Sequence, residues 1–319
     1  MFKYILRRVL LLIPVMISVS FLVFFMLNHL MPSDAAIIAA GEHAIPEVIE
    51  YHREAMGLNY SFFERYFRWL SNFIFNQHLG YSLMGGFPIL PVVLIALSTT
   101  LRLLLVATLV SLIIGVPVGI ISAIKQYSLF DRVGMVFAIF GASMPTFWQA
   151  LLLHLLLFTL VRFGLLPFEL LTFIGRNNQT QFFQIICGVV LGLSSTAIVA
   201  RMTRSSMLEE IHKDYIRTSR AFGQTERIIF SKHALKNALI PIITVVGLNF
   251  SYLLAGSISF EIVFRLNGIG SLLLRAIDFR DYPVLMGTIL ILCLIFSILN
   301  LLIDLLYALI DPRLRTQYK

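Results

Sequence analysis

Of the 319 residues, 58% are hydrophobic and 13% charged, and the formal net charge is +8. Soluble domains carry about 25% charged residues, so a chain this apolar excludes water as its main solvent and makes the bilayer its organising medium. The basic balance would suit a nucleic-acid partner if the cations were gathered on one polar domain, but they fall in the loops between apolar runs.

A helix needs about 20 apolar residues to cross hydrocarbon, and six segments qualify: 9–27, 92–124, 133–160, 182–200, 239–260 and 284–310. The expected fold class is an all-α polytopic membrane protein of six transmembrane helices. An even number of spans puts both termini on one side, and the positive-inside rule selects that side. With the N-terminus in the cytoplasm, segments 1–8, 125–132, 201–236 and 313–319 hold sixteen Lys and Arg, against eight in the external segments. Acidic residues run the other way, six inside and ten outside.

The first span, domain 1–28, follows Lys3, Arg7 and Arg8. Its run of about 19 residues exceeds the 7–15 of a signal-peptide core, which reads as an uncleaved anchor. Residues 29–91 form an extracytoplasmic segment. Its aromatics Tyr60, Phe62, Phe63, Tyr66, Phe67 and Trp69 recur at helical spacing, as packing or interfacial anchors do.

Residues 92–312 are the expected five-helix core. Gly115 and Gly119 in its first span, and Gly188 and Gly192 in its third, stand four apart, a spacing that lets helices pack closely. Gly141 and Pro145 occur inside the span between them, where a soluble helix would avoid such residues. Cys187 and Cys293 lie in apolar runs and read as small buried hydrophobes. Arg102 lies near enough to an interface to snorkel, with cargo contact as the alternative. Asn249, Asn300 and Asp304 are candidates for the translocation path or for helix packing, and His154 for an inter-helix contact. For Asp304 the readings are a packing hydrogen bond or a proton relay.

The polar segment 201–238 reads as a cytoplasmic hairpin of two helices. The first, over 208–223, places Ile211, Tyr215, Thr218 and Phe222 on one face and turns Lys213, Arg217 and Arg220 away. It ends at Gly223, suited to the left-handed position after a helix. Thr225 then caps a second helix whose Glu226 suits the positive end of the dipole and which re-enters the membrane near Pro241. A short helix with small Ser219 and Ala221 is fitted to a groove on another protein.

The run Arg217, Thr218, Ser219, Arg220, Ala221, Phe222, Gly223, followed by HALKNALIP from His233 to Pro241, resembles the cytoplasmic "EAA" loop of bacterial ABC importer permeases of the dipeptide, oligopeptide and nickel branch. The likeness continues through PTFWQALLL (145–153), RMTRSSMLE (201–209), NGIG (267–270), DYP (281–283) and NLLIDLLYALIDPRLR (300–315). It implies a coupling helix over Tyr215 to Gly223, seated on an ATPase subunit. It also implies import of short peptides by alternating access across the bacterial inner membrane, nickel chelates or another small solute being the alternative cargo. The partners implied are a homologous second permease, two ATP-binding cassette subunits and an extracytoplasmic solute-binding protein. ATP and Mg would sit on the partner subunits, with no cofactor on this chain. Glu261, Asn267, Gly268 and Gly270 would belong to an external loop near the delivery mouth. The chain departs from the branch at Ser219, at Leu266 and Asn267, where Trp-Pro is common, and at Arg102, where an acid is frequent.

Other classes lack their signatures. There is no HExxH and no GxSxG for an intramembrane hydrolase. No clear internal repeat supports a secondary transporter. No GxxxxGK[ST] is present, so ATP hydrolysis is expected on another polypeptide.

Overall fold

The computed structural model describes residues 2–29, 35–41, 43–76, 78–165 and 181–310. The expected tail 313–319 and the side chains of Lys3, Arg7, Arg8 and Asp304 lie outside the described residues. Among those described, the regular elements are helices, joined by one isolated antiparallel bridge between Tyr81 and Pro88. In chain order they are α1 (Phe2–His29), α2 (Ala35–Ala40), α3 (Pro46–Ala55), α4 (Phe62–Asn76), α5 (Ile89–Ile124), α6 (Leu129–Ser143), α7 (Thr146–Arg162), α8 (Gln181–Ile211), α9 (Asp214–Ala221), α10 (Glu226–Val263), α11 (Ile269–Asp278) and α12 (Tyr282–Ile310).

Five helices, α1, α5, α8, α10 and α12, are long and apolar enough to cross a membrane. The expected single span over 133–160 is instead two helices, α6 and α7, bent by 102°. Pro145 is the cause. It has no N–H for the carbonyl four residues back, and its ring drives the preceding residue out of helical geometry. Met144 is accordingly extended, at φ −76° and ψ 124°. The spans number six only if this bent pair counts as one.

The chain divides into two compact units, one of Met1–Ser98 with Asn267–Leu299, the other of Thr99–Leu266 with the described residues from Asn300 onward. In the first, α4 lays Phe62, Tyr66, Trp69 and Phe73 along one face, and the first three of these pack with Phe24 of α1. The buried Tyr66 hydroxyl meets Ser20 Oγ at 2.9 Å, and Arg65 donates to Asn28 Oδ1 at 2.6 Å. The aromatics of the external segment thus divide: Tyr66 is buried, while Phe63 and Phe67 are exposed. Asp281 anchors the loop before α5. Its carboxylate accepts from Ser82 Oγ at 2.5 Å and from Leu83 N–H at 3.2 Å. The same carboxylate caps the first turn of α12 by accepting from Val284 N–H at 3.5 Å.

In the second unit, Leu103, Leu104 and Ala107 of α5, Phe183, Cys187 and Leu191 of α8, and Leu253 and Phe260 of α10 form a buried apolar cluster. The glycines permit this approach: a Cβ on Gly192 would stand 2.6 Å from the Ala107 carbonyl oxygen. Ile229–Ala234 within α10 adopts the wider π geometry, so the helix entering the span is locally bulged rather than regular.

Candidate functional site

The polar hairpin is built on the end of α8. That helix runs to Ile211, beyond the expected span end at residue 200, and the chain then opens at Lys213, which is extended at φ −72° and ψ 150°. Asp214 comes next, in the first turn of α9, where a carboxylate suits the helix dipole. The break separates Ile211 from Tyr215, so the expected face of Ile211, Tyr215, Thr218 and Phe222 does not form. Ile216 is the buried residue instead, at 0% exposure, packed in a cluster with Met207 of α8 and Ile229, Ala234, Ala238 and Ile242 of α10. Thr218 is exposed, its hydroxyl returned to the Asp214 carbonyl at 3.1 Å, and Phe222 is 82% exposed.

The end of α9 matches expectation. Gly223 has φ +72°, Gln224 N–H bonds the Ser219 carbonyl at 3.3 Å, and Gly223 N–H bonds that of Arg220 at 2.9 Å. This pair of bonds satisfies carbonyls that the helix end would otherwise leave open. Thr225 takes the extended geometry that precedes a helix, but its side chain makes no cap bond. Glu226 stands in the first turn of α10, as expected, and it also receives a fork: Arg220 Nε meets Glu226 Oε1 at 2.8 Å and Nη2 meets Oε2 at 3.3 Å. Arg220 therefore closes the hairpin rather than turning away from it, and the bond to Glu226 holds its guanidinium above the usual pKa.

Three residues outside the expected set position α9. Glu210, at the end of α8, accepts from Lys213 Nζ at 2.6 Å and from the Tyr215 hydroxyl at 2.7 Å. Asn237 of α10 donates to the same hydroxyl at 3.0 Å. Burial, then the bond to Glu210, raises the Tyr215 phenol's pKa; the same carboxylate raises that of Lys213. Ser219 is half-buried and bonds the Tyr215 carbonyl at 2.9 Å. Nearby, Arg204 of α8 forks onto Asp131 of α6, Nε to Oδ1 at 2.6 Å and Nη2 to Oδ2 at 2.8 Å. Ile216 had a readable signal, being the single large aliphatic in DYIRTSRAF. The roles of Glu210 and Asn237 need the third dimension. With its inner side held, α9 turns Arg217, Thr218, Ala221 and Phe222 outward.

The remaining candidates are dispersed. Arg102 is exposed and donates to Gln184 Oε1 at 3.5 Å. Asn249 is buried and donates to Ser195 Oγ of α8, and Asn300 is exposed. His154 lies with its ring 5.7 Å from that of Phe264. Glu261 is not a loop residue: Phe260, Ile262 and Val263 carry α10 past it, and it is fully buried, accepting from Thr100 Oγ1 at 2.7 Å. Gly268 precedes α11, Gly270 is buried in its first turn, and Asn267 is exposed. Among the described residues no three His, Cys, Asp or Glu gather as a metal site would require.

Comparison with known proteins matches residues 115–316 to the family described as binding-protein-dependent transport system inner membrane component, and residues 1–101 to that family's N-terminal region. The chain is 40% identical to the dipeptide transport system permease protein DppB of Alkalihalophilus pseudofirmus, over 99% of this chain and 100% of that one. It is 38% identical to the glutathione transport system permease protein GsiC of Pectobacterium atrosepticum, over 99% of each. A putative peptide transport system permease protein of Brucella abortus is 39% identical over 98% of each.

Proposed function

Since the chain belongs to the binding-protein-dependent transport system inner membrane components, we propose that it is a permease subunit of an ATP-driven importer that carries short peptides inward across the bacterial cytoplasmic membrane. The termini and the α9 hairpin face the cytoplasm, the side that the distribution of Lys and Arg favours. A homologous permease completes the path, two ATP-binding cassette subunits hold ATP and Mg, and an extracytoplasmic binding protein delivers the cargo. Closure of the ATPase pair moves α9, and the spans alternate access between the two sides.

The observation that carries this reading is the two-sided character of α9. Ile216 and Tyr215 fix its inner side to α8 and α10, while Phe222 stands out with Arg217, Thr218 and Ala221 around it. An exposed aromatic on a short, rigidly mounted helix suits a groove on a partner. The peptide assignment is supported by relatives named for dipeptide and peptide transport, and glutathione, itself a tripeptide, is the second reading. A cysteine at Ala221 in the complete transporter should cross-link to the ATPase subunit. Failure across a series of linker lengths would remove the docking assignment, and peptide uptake that persists on an ion gradient without ATP would remove the energy source.

A further inference from the structure

At the break between α6 and α7 lies a cavity of about 310 Å³, bounded by Gly141, Met144, Gln149, Leu153, Val190 and Ser194, with three further leucines at its rim. The wall is mostly apolar, and its polar side chains are Gln149 and Ser194. Gln149 is 7% exposed; its Nε2 donates to the Met144 carbonyl at 3.0 Å, while its Oε1 has no partner. The amide cannot be turned to remedy this, because the Met144 carbonyl can only accept. Two features beside it add acceptors. Ser194 spends its proton on the Leu191 carbonyl at 2.8 Å, leaving oxygen lone pairs, and Pro145 has no N–H to give the Gly141 carbonyl.

Broken helices mark cargo sites in membrane transporters because they release backbone polar groups at membrane depth. The groups released or left open here are acceptors, so the complement is an N–H donor attached to an apolar body. A charged ammonium is the wrong match, since neutral acceptors in an apolar wall do not repay its desolvation.

Resting on the peptide-import reading above, we propose that this cavity is a cargo subsite, in which Gln149 Oε1 accepts a peptide backbone N–H and the leucine-lined wall receives that residue's apolar side chain. The subsite favours peptides with one large aliphatic or aromatic residue over those with charged or very small ones.

The test is maximal uptake by the complete transporter in proteoliposomes, with binding protein saturated by Leu-Leu, Gly-Gly or Asp-Asp, so that selection by the binding protein does not enter. Gln149→Leu should lower the Leu-Leu rate about fivefold, the worth of one neutral hydrogen bond, and leave Gly-Gly uptake unaltered, because Gly-Gly has no side chain to enter the apolar wall and does not occupy the subsite. Leu156→Trp, which fills the cavity from its exposed rim and leaves the Gln149 amide in the chain, should do the same to Leu-Leu. Equal loss for all three peptides, or no loss for any, overturns the subsite. A photo-reactive residue at Leu156 that captures phospholipid rather than labelled peptide also overturns it, as a lipid-filled groove. If the wild-type transporter moves none of the peptides but does move another solute, the peptide reading itself fails, an outcome distinct from the others.

Discussion

Replacing Gly223 separates backbone conformation from packing, because φ is +72° there and a Cβ would meet nothing within 4 Å. The cost of a side chain is therefore the left-handed backbone alone, about 1–2 kcal/mol for an L-residue. Asn tolerates this region several-fold better than most residues, and a β-branched residue is an outlier in it. At tenfold per 1.4 kcal/mol, Gly223→Val shifts the equilibrium constant against the native connection between α9 and α10 by roughly tenfold or more. Gly223→Ala should lie between Val and Asn. The assay is uptake per ATP hydrolysed by the assembled transporter, with membrane abundance measured alongside. Val should uncouple hydrolysis from uptake at normal abundance, and Asn should stay near wild type. Normal coupling in the Val variant would refute the reasoning. An order following side-chain volume would also do so, since it would show that a partner's contact, rather than backbone strain, sets the effect.

Two further expectations concern the same unit. Gly192→Leu sets its Cβ 2.6 Å from the Ala107 carbonyl oxygen, a backbone atom that cannot rotate aside, so α5 and α8 must separate; loss of membrane-inserted protein by immunoblot should exceed that for Gly134→Leu, whose nearest neighbour is 3.8 Å away. The fork from Arg220 to Glu226 is half exposed on both sides, so breaking it with Glu226→Gln should cost about 0.2–1 kcal/mol. Uptake should fall by no more than about fivefold in that variant and recover in the charge-reversed pair Arg220→Glu with Glu226→Arg, and a double variant worse than both singles would count against a direct pairing.

Much of the spanning architecture was readable because a long apolar run has one stable solution in lipid, a helix that satisfies its own backbone. Gly223 was readable for a similar reason: one residue type suits one backbone state. The break at Pro145 was visible as a residue but not as an angle, since a proline within a span bends it or splits it according to what neighbouring helices supply. Glu261 misled because a carboxylate after an apolar run suggests a loop, whereas the Thr100 hydroxyl on α5 makes its burial tolerable. The face of α9 misled by register. One extended residue, Lys213, rotates α9 relative to α8, so periodicity counted through the turn assigns Phe222 inward and overlooks Ile216.

That register also bears on how a push on α9 would be felt. A helix of eight residues has too few internal bonds to hold its shape alone. Its stiffness comes from Ile216, clamped between side chains of α8 and α10, and from the Tyr215 hydroxyl, which bonds Glu210 on one long helix and Asn237 on the other. The two attachments differ in kind. The apolar cluster resists separation but permits sliding, whereas two hydrogen bonds to one oxygen fix direction as well as distance. A load taken at Phe222 thus reaches two spans together, and Arg204 on Asp131 extends the connection from α8 to the start of α6. Tyr215→Phe keeps the packing and removes the directional bonds, so under the coupling reading it should reduce uptake per ATP hydrolysed while leaving assembly with the ATPase intact. A loss of assembly in that variant would mean that Tyr215 serves only to keep α9 folded.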